Sequence, residues 1–359
     1  MSGFSLAPIR KLFKKRRMAK LAKRLNNQVK DNTNGNVLTP EERDEAIRFY
    51  RETTGMKIDP IYHNYQKEKT GKFYKEYIPD DLFYNYIDPY FNRIKERSLD
   101  NKCYYDLLFA GFAMPKSYLK RLNGIWFDGE EHAIDKEAVN AVLLSHPAVF
   151  IKKAFNTGGG KGVFYLSNES DDIVSRFWEI IGRIDEDVVI QEPLKQHAAL
   201  SRVNESSVNT IRVLSMLRPD GSIKIYSVVL RMGMAGKKVD NASSGGITCG
   251  VNLDGHCKEA GYYSYVNGGK RLLNHPTSGM PFKDIFIPNM DKIIAFVEKA
   301  AVRIPHFRLV SWDIALRDDG EPVLIEANFY DGEIDFHQLN NGPLFKEDTE
   351  AILREVFSK

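Results

Sequence analysis

The strongest constraint on this 359-residue chain lies near its C-terminus. There Leu309-Val310-Ser311-Trp312-Asp313-Ile314-Ala315-Leu316-Arg317 runs into Asp318-Asp319-Gly320-Glu321, followed by Pro322-Val323-Leu324-Ile325-Glu326-Ala327-Asn328. Two β-rich runs around a turn of about four residues read as a hairpin. Pairing Arg317 with Pro322 sets Asp313 directly opposite Glu326, with Asn328 on the same face. Like charges facing each other destabilise a ladder, and a carboxylate in apolar sequence is expensive to bury unpaired. A divalent cation is the simplest relief. Two carboxylates and an amide oxygen are the hard donors Mg²⁺ accepts beside nucleotide phosphates, so Asp313, Glu326 and Asn328 are candidate metal ligands, for Mg²⁺ or Mn²⁺. The alternatives are an arginine that neutralises the pair, or a register slipped by one.

A second landmark is Val149-Phe150-Ile151-Lys152-Lys153-Ala154-Phe155-Asn156-Thr157-Gly158-Gly159-Gly160-Lys161-Gly162-Val163-Phe164. An apolar strand delivers Lys152, glycines follow, and another strand leaves. Glycines let backbone N–H groups close over phosphate oxygens, and Lys152 and Lys161 add charge. This is not a P-loop, because Lys161 is followed by Gly162 rather than Ser or Thr. Nor is it a dinucleotide fingerprint, which would open a helix. A strand–turn–strand flap over a triphosphate remains, with Gly158, Gly159, Gly160, Lys161 and Gly162 as its contacts.

Further β-rich runs at Val188–Glu192, Thr210–Leu217 and Lys224–Met232, without helices between the later ones, favour antiparallel pairing over a doubly wound sheet. Helices are expected at 171–184 and 289–302. Thr39-Pro40-Glu41-Glu42 carries the signature of a capped helix start, and Gly55 ends that helix. Asp59-Pro60 opens a helical stretch rich in Tyr and Phe through Phe91, read as packing, with a sugar-stacking face as the alternative.

The net charge of +3 conceals an asymmetry. Residues 1–30 hold ten Lys or Arg and no acid, which leaves the remaining 329 residues at −7. An acidic body argues against a general nucleic-acid binder. The basic leader reads as a solvated arm, or as a peripheral contact with an anionic membrane or with polysaccharide-assembly proteins. Its apolar residues Leu6, Ile9 and Phe13 fall on a different helical face from Leu21 and Leu25. No run is long enough to span a bilayer, and charges interrupt any secretory core. Three cysteines (Cys103, Cys249, Cys257) form no disulfide or zinc framework, which fits a reducing cytoplasm, with the inner face of the plasma membrane as a peripheral address.

Glycine flap, then Gln191-Glu192-Pro193-Leu194, then Asp313 to Asn328, is the order of an ATP-grasp enzyme. The chain from about residue 100 to 345 resembles the sugar-transfer associated ATP-grasp family of polysaccharide biosynthesis most closely. The resemblance rests also on Ser207-Val208-Asn209-Thr210-Ile211-Arg212-Val213, Trp312-Asp313-Ile314-Ala315 and Leu324-Ile325-Glu326-Ala327-Asn328. Ser311 departs from it, standing where glycine is expected.

The resemblance implies an α+β ATP-grasp fold, two α+β subdomains clamping ATP, with a helical N-terminal module. The expected divisions are an arm and linker (1–36), a helical module (37–100), a lead-in segment (101–147), a glycine-flap subdomain (148–195) and a metal and acceptor subdomain (196–359). It implies that Lys102 and Lys152 hold phosphates and that Gln191, Glu192, Leu194 and His197 serve adenine and ribose. Arg212, Lys152 and Arg231 are implied as catalytic cations. Asn209, assigned to the face of Arg212, joins Asn241, Gly245, Gly246 and Gln338 as substrate contacts, with Asp331 and His337 as further candidates. Among the apolar residues of its strand Arg212 requires a buried partner. The implied reaction is carboxylate–amine or carboxylate–thiol ligation through an acyl phosphate, on a small-molecule or saccharide acceptor. Rivals are a sugar or polyol kinase, and an ATP-binding scaffold of polysaccharide assembly.

Overall fold

The computed structural model describes residues 7–92, 98–155, 162–169, 172–234, 236, 245–330 and 332–358, apart from the side chains of 7–15 and 265. Its strands form two antiparallel sheets. The smaller contains β1 (Ser117–Leu122), β2 (Ile125–Asp128), β3 (Ala133–Ile134), β4 (Ala148–Lys153), β5 (Val163–Ser167) and β6 (Val188–Gln191), in the order β3-β2-β1-β6-β4-β5. The larger contains β7 (Thr210–Leu217), β8 (Ile223–Met232), β9 (Ile247–Val251), β10 (Cys257–Tyr263), β11 (Arg271–Leu272), β12 (Leu309–Leu316) and β13 (Pro322–Asn328), in the order β11-β10-β9-β8-β7-β12-β13. Residues 117–191 share one sheet, so the expected division at 148 cuts through it. Strands of two to six residues separated by the Asn123-Gly124 turn give little periodicity to read.

The helices are α1 (Ala7–Asp31), α2 (Pro40–Thr54), α3 (Ile61–Thr70), α4 (Asp80–Leu82), α5 (Asp88–Phe91), α6 (Tyr105–Leu108), α7 (Lys136–Leu144), α8 (Ile173–Ile181), α9 (Ala198–Ser201), α10 (Met290–Ala301), α11 (Asp335–Asn341) and α12 (Thr349–Phe357). The expected capping box forms at α2: Thr39 Oγ1 accepts from Glu42 N, and the Glu42 carboxylate accepts from Thr39 N. Gly55 then turns the chain at φ +71°. The helical stretch expected through Phe91 is interrupted, because Gly71 ends α3 at φ +73° and the helix resumes at α4.

Each face of the larger sheet has its own core. Ile211, Val213, Trp312 and Ile314 pack against Ile293, Val297 and Ala301 of α10. Leu214, Met216, Tyr226 and Leu309 face the other way, into a core with Phe49, Tyr50, Ile78, Phe91 and Leu353. The N-terminal helices therefore pack onto the main body. Tyr50, Tyr62, Tyr65 and Tyr77 are buried, which makes this aromatic stretch chiefly core.

Helix α1 is also docked. Leu25 and Val29 are buried, Val29 among Tyr62, Tyr65, Tyr262 and Leu339. The reading of residues 1–30 as a solvated arm is corrected for this part. Leu21, Leu25 and Val29 follow the spacing of one helical face, and that face meets the body.

Candidate active site

The carboxylate hairpin forms with Asp313 opposite Glu326. Its register differs from expectation nearer the turn, where Leu316 rather than Arg317 pairs with Pro322. A bulge between Asp313 and Ile314 absorbs the one-residue difference, which restores the facing pair. Across four neighbouring strands Val229, Arg212, Asp313 and Glu326 stand in one row, so their side chains share a face.

Asp313 is the buried partner that Arg212 requires. Arg212 donates from Nε to Asp313 Oδ1 at 2.7 Å and from Nη2 to Oδ2 at 2.6 Å. Arg231 Nη1 adds a third bond to Oδ2 at 2.8 Å. All three residues are buried. Burial alone would raise the Asp313 pKa, but the guanidiniums of Arg212 and Arg231 outweigh it and hold the carboxyl well below its usual range. Arg212 also lies 5.6 Å from the centre of the Phe336 ring. Burial and nearby Arg212 push His337 down to about 3, so its imidazole is neutral.

The Glu326 side chain is 29% exposed and meets Lys102 Nζ at 2.7 Å. The turn carrying Lys102 joins the two sheets. Lys102 N donates to Ala154 O beyond β4, and Tyr105 Oη donates to Ala327 O in β13 at 3.1 Å. Asn101 caps the turn through Cys103 N and reaches Asp187 at 3.3 Å. Sequence reading missed Asn101 and Tyr105, whose signal is only their spacing around Lys102.

On the smaller sheet Lys152 and Lys120 both pair with Val189, from opposite sides, so all three share a face. Lys120, also missed, is buried and pairs with Asp106 at 2.7 Å and Glu131 at 3.3 Å. Lys152 is half-buried and makes no ion pair among the described residues. Burial lowers its pKa to about 8, with Glu326 opposing the shift and Lys102 adding to it. Gly162 adopts φ +86°, and a Cβ there would lie 2.4 Å from the Lys153 side chain, so glycine is required. Gly158, Gly159, Gly160, Lys161, Asn241 and Asp331 lie outside the described residues.

The segment after β6 is stitched on both sides. Gln191 Nε2 donates to Pro115 O, and Glu192 exchanges bonds with Lys116, accepting from its amide at 2.9 Å. Beyond half-buried Leu194, Asp318 N donates to Lys195 O and His197 N donates to Leu316 O. A cavity of about 480 Å³ opens beside this segment, lined by Asp106, Phe112, Met114, Lys116, Ser117 and Lys120.

Three of the expected contact residues are engaged within the fold. His197 caps α9, its Nδ1 accepting from Ala199 N. Asn209 stands three residues before Arg212, an offset that favours opposite faces of a strand; it is fully buried and donates to Gln196 Oε1, Leu200 O and Asn204 O. Gln338 is buried with both amide atoms bound to the backbone of Ile78, which ties α11 to the N-terminal helices. Gly245, at φ +93°, and Gly246 lead into β9, where Thr248 pairs with Arg231.

Among the described residues no group of three or more His, Cys, Asp or Glu is arranged for a metal. Asp313, Glu326 and Asn328 still supply hard oxygens on one face. Asn328 spends its amide nitrogen on Ser311 O at 3.0 Å, which leaves its oxygen for a cation. Arginines take three of the roughly four lone-pair positions on Asp313 and Asn328 Nδ2 approaches Oδ2 at 3.4 Å, so Asp313 has the least left for a cation. No helix among the described residues is long and apolar enough to cross a membrane.

The family described as sugar-transfer associated ATP-grasp matches residues 82–354. Similar solved structures include an ADP complex of N5-carboxyaminoimidazole ribonucleotide synthetase (13% identity, TM-score 0.40, 65% of this chain and 45% of that one). Others are the ATP-grasp ligase PsnB with minimal precursor, Mg and ADP (14%, 0.41, 74% and 62%) and D-alanyl-alanine synthetase A from Vibrio cholerae (14%, 0.42, 76% and 66%). The chain thus spans between 45% and 66% of the length of these relatives. No protein of curated function matches the sequence.

Proposed function

Because the chain belongs to the sugar-transfer associated ATP-grasp family, we propose that it is an ATP-dependent ligase joining a carboxylate to an amine or thiol through an acyl phosphate, on a sugar, polysaccharide-precursor or amino-acid substrate. The observation that carries the reading is the charge of the site. Lys102, Lys152, Arg212 and Arg231 converge on Asp313 and Glu326, four cations around two carboxylates. Among these described side chains the cations outnumber the carboxylates, an arrangement that suits a polyphosphate.

In this reading Lys102, on the turn that joins the two sheets, and Lys152, on the smaller sheet, hold the phosphates together. The substrate carboxylate attacks the γ-phosphorus, forming a P–O bond as the bond to ADP breaks. Lys152 and Arg212 stabilise charge on the transferring oxygens. The amine then attacks the acyl carbon, the C–O bond to phosphate breaks, and the amine proton leaves, giving amide, ADP and phosphate. Asp313, Glu326 and Asn328 are the residues that would hold Mg²⁺, which when bound supplies neutralisation of phosphate charge. Asp313 also keeps Arg212 and Arg231 oriented.

Calorimetry with Mg-ATP tests the binding half: wild type binds, and Lys152→Met weakens binding about 10- to 100-fold, the range for a charged hydrogen bond. Screening sugars, uronic acids and amino acids for stimulated ADP release, with products weighed, tests the chemistry. A condensed amide or thioester supports the ligase; a phosphorylated hydroxyl makes the protein a kinase. ATP binding without turnover, with function intact in Asp313→Asn, makes it a scaffold.

A further inference from the structure

The second half of α1 presents two unlike faces. Met18, Leu21, Ala22, Leu25 and Val29 recur at helical spacing on the inward side, where Leu25 and Val29 are buried and Asn85 Nδ2 donates to Met18 O. Arg16, Arg17, Lys20, Lys23, Arg24 and Lys30 are all exposed. At 100° per residue these six fall within an arc of about 140°. None forms an ion pair among the described residues, and no acid precedes Asp31. The cationic face is thus fixed outward by the packing of the opposite face, on a molecule whose remaining 329 residues carry −7.

We propose that this outward face of α1 docks the protein on an anionic lipid bilayer. From Arg16 to Lys30 this exposed face runs about 21 Å along the helix axis, a contact that a flat charged surface can meet. In the sequence Ile9, Leu12 and Phe13 occupy positions that continue the arc of Arg16 and Lys20, so an apolar segment precedes the basic one along that line. That combination matches the acyl and headgroup layers of a membrane interface. A nucleic acid would use only the charge, and the acidic body would repel it. The same repulsion turns the body away from an anionic membrane, which selects one orientation. Docking in this way does not depend on which reaction the cleft performs.

The test is flotation of the full chain with vesicles of phosphatidylcholine alone, or with about one third phosphatidylglycerol, near physiological salt. The expected result is at least about tenfold stronger binding to the anionic vesicles, lost at high salt, since each basic residue near such a surface contributes about fivefold. The triple variant Arg16→Glu/Lys20→Glu/Lys23→Glu changes only exposed positions remote from the cleft. It should lose vesicle binding more than about 100-fold while keeping its melting temperature and Mg-ATP affinity. Equal binding to both vesicles, no binding to either, or wild-type binding by the triple variant overturns the proposal. Retention by RNA without retention by anionic vesicles overturns it as well.

Discussion

The two sheets furnish charge to the cleft in opposite ways. On the larger sheet Arg212, Arg231 and Asp313 are each no more than 5% exposed and are joined by three bonds of 2.6 to 2.8 Å. On the smaller sheet Lys152 is half-buried without an ion pair among the described residues, and its pKa falls to about 8. A charge compensated within the fold holds its neighbours in place and supports stability. An under-compensated charge costs stability until a ligand arrives, so it supports affinity. The difference assigns anchoring to one sheet and capture to the other.

The largest expected effect breaks the anchoring side. Asp313→Asn keeps the shape of the side chain but takes away the carboxylate that the buried Arg212 guanidinium binds through two bonds. Breaking a buried pair in this way costs about 3–5 kcal/mol, read by chemical denaturation. Lys152→Met, which removes an under-compensated cation, should change stability by less than about 1 kcal/mol or raise it. Equal losses at the two positions would erase the distinction between the sheets.

The facing carboxylates were legible because alternation along two runs constrains which residues share a face, and a strand arginine among apolar residues demanded a buried acid. That this acid is Asp313 was not legible: pairing β7 with β12 joins segments about a hundred residues apart. The bulge after Asp313 was equally hidden, and the expected facing pair survived because it offset an error at the turn. Lys120 and Tyr105 sit in segments too short for periodicity to register. Residues 18–29 of α1 carried a clear apolar stripe, but its counterpart on α3 and β10 is assembled only in three dimensions.

A smaller effect sharpens the comparison at the edge of the site. Gln338 bonds both backbone groups of Ile78, at 2.8 and 2.9 Å, and so fastens the N-terminal helices beside α11. Gln338→Ala should cost about 1–3 kcal/mol, because the Ile78 groups stay buried without partners. Its Mg-ATP affinity, measured by calorimetry, should remain within about twofold of wild type, since Gln338 anchors without entering the cleft. A large loss of affinity with little loss of stability would return Gln338 to the role of a substrate contact.

The smallest effect is a fraction of a proton, and it reads the capturing side directly. Lys152 has a folded-state pKa of about 8 against an ordinary 10.5, so between these values the unfolded chain binds more protons than the folded one. The sign follows: stability from this group rises as pH climbs from about 8 to 10.5, and is lowest where the folded protein must carry the charge. Nucleotide phosphates favour the ammonium form, so binding near pH 9 has to restore a proton that most free molecules lack. Calorimetry in buffers of unlike ionisation heat should therefore give an uptake approaching about 0.9 proton near pH 9 and about 0.1 near pH 7. Lys152→Arg keeps the site cationic throughout and should abolish the difference between the two pH values. A wild-type uptake of zero near pH 9 would mean that the lysine stays neutral beside the phosphates or lies away from them, and the smaller sheet would lose its assignment as the capturing half.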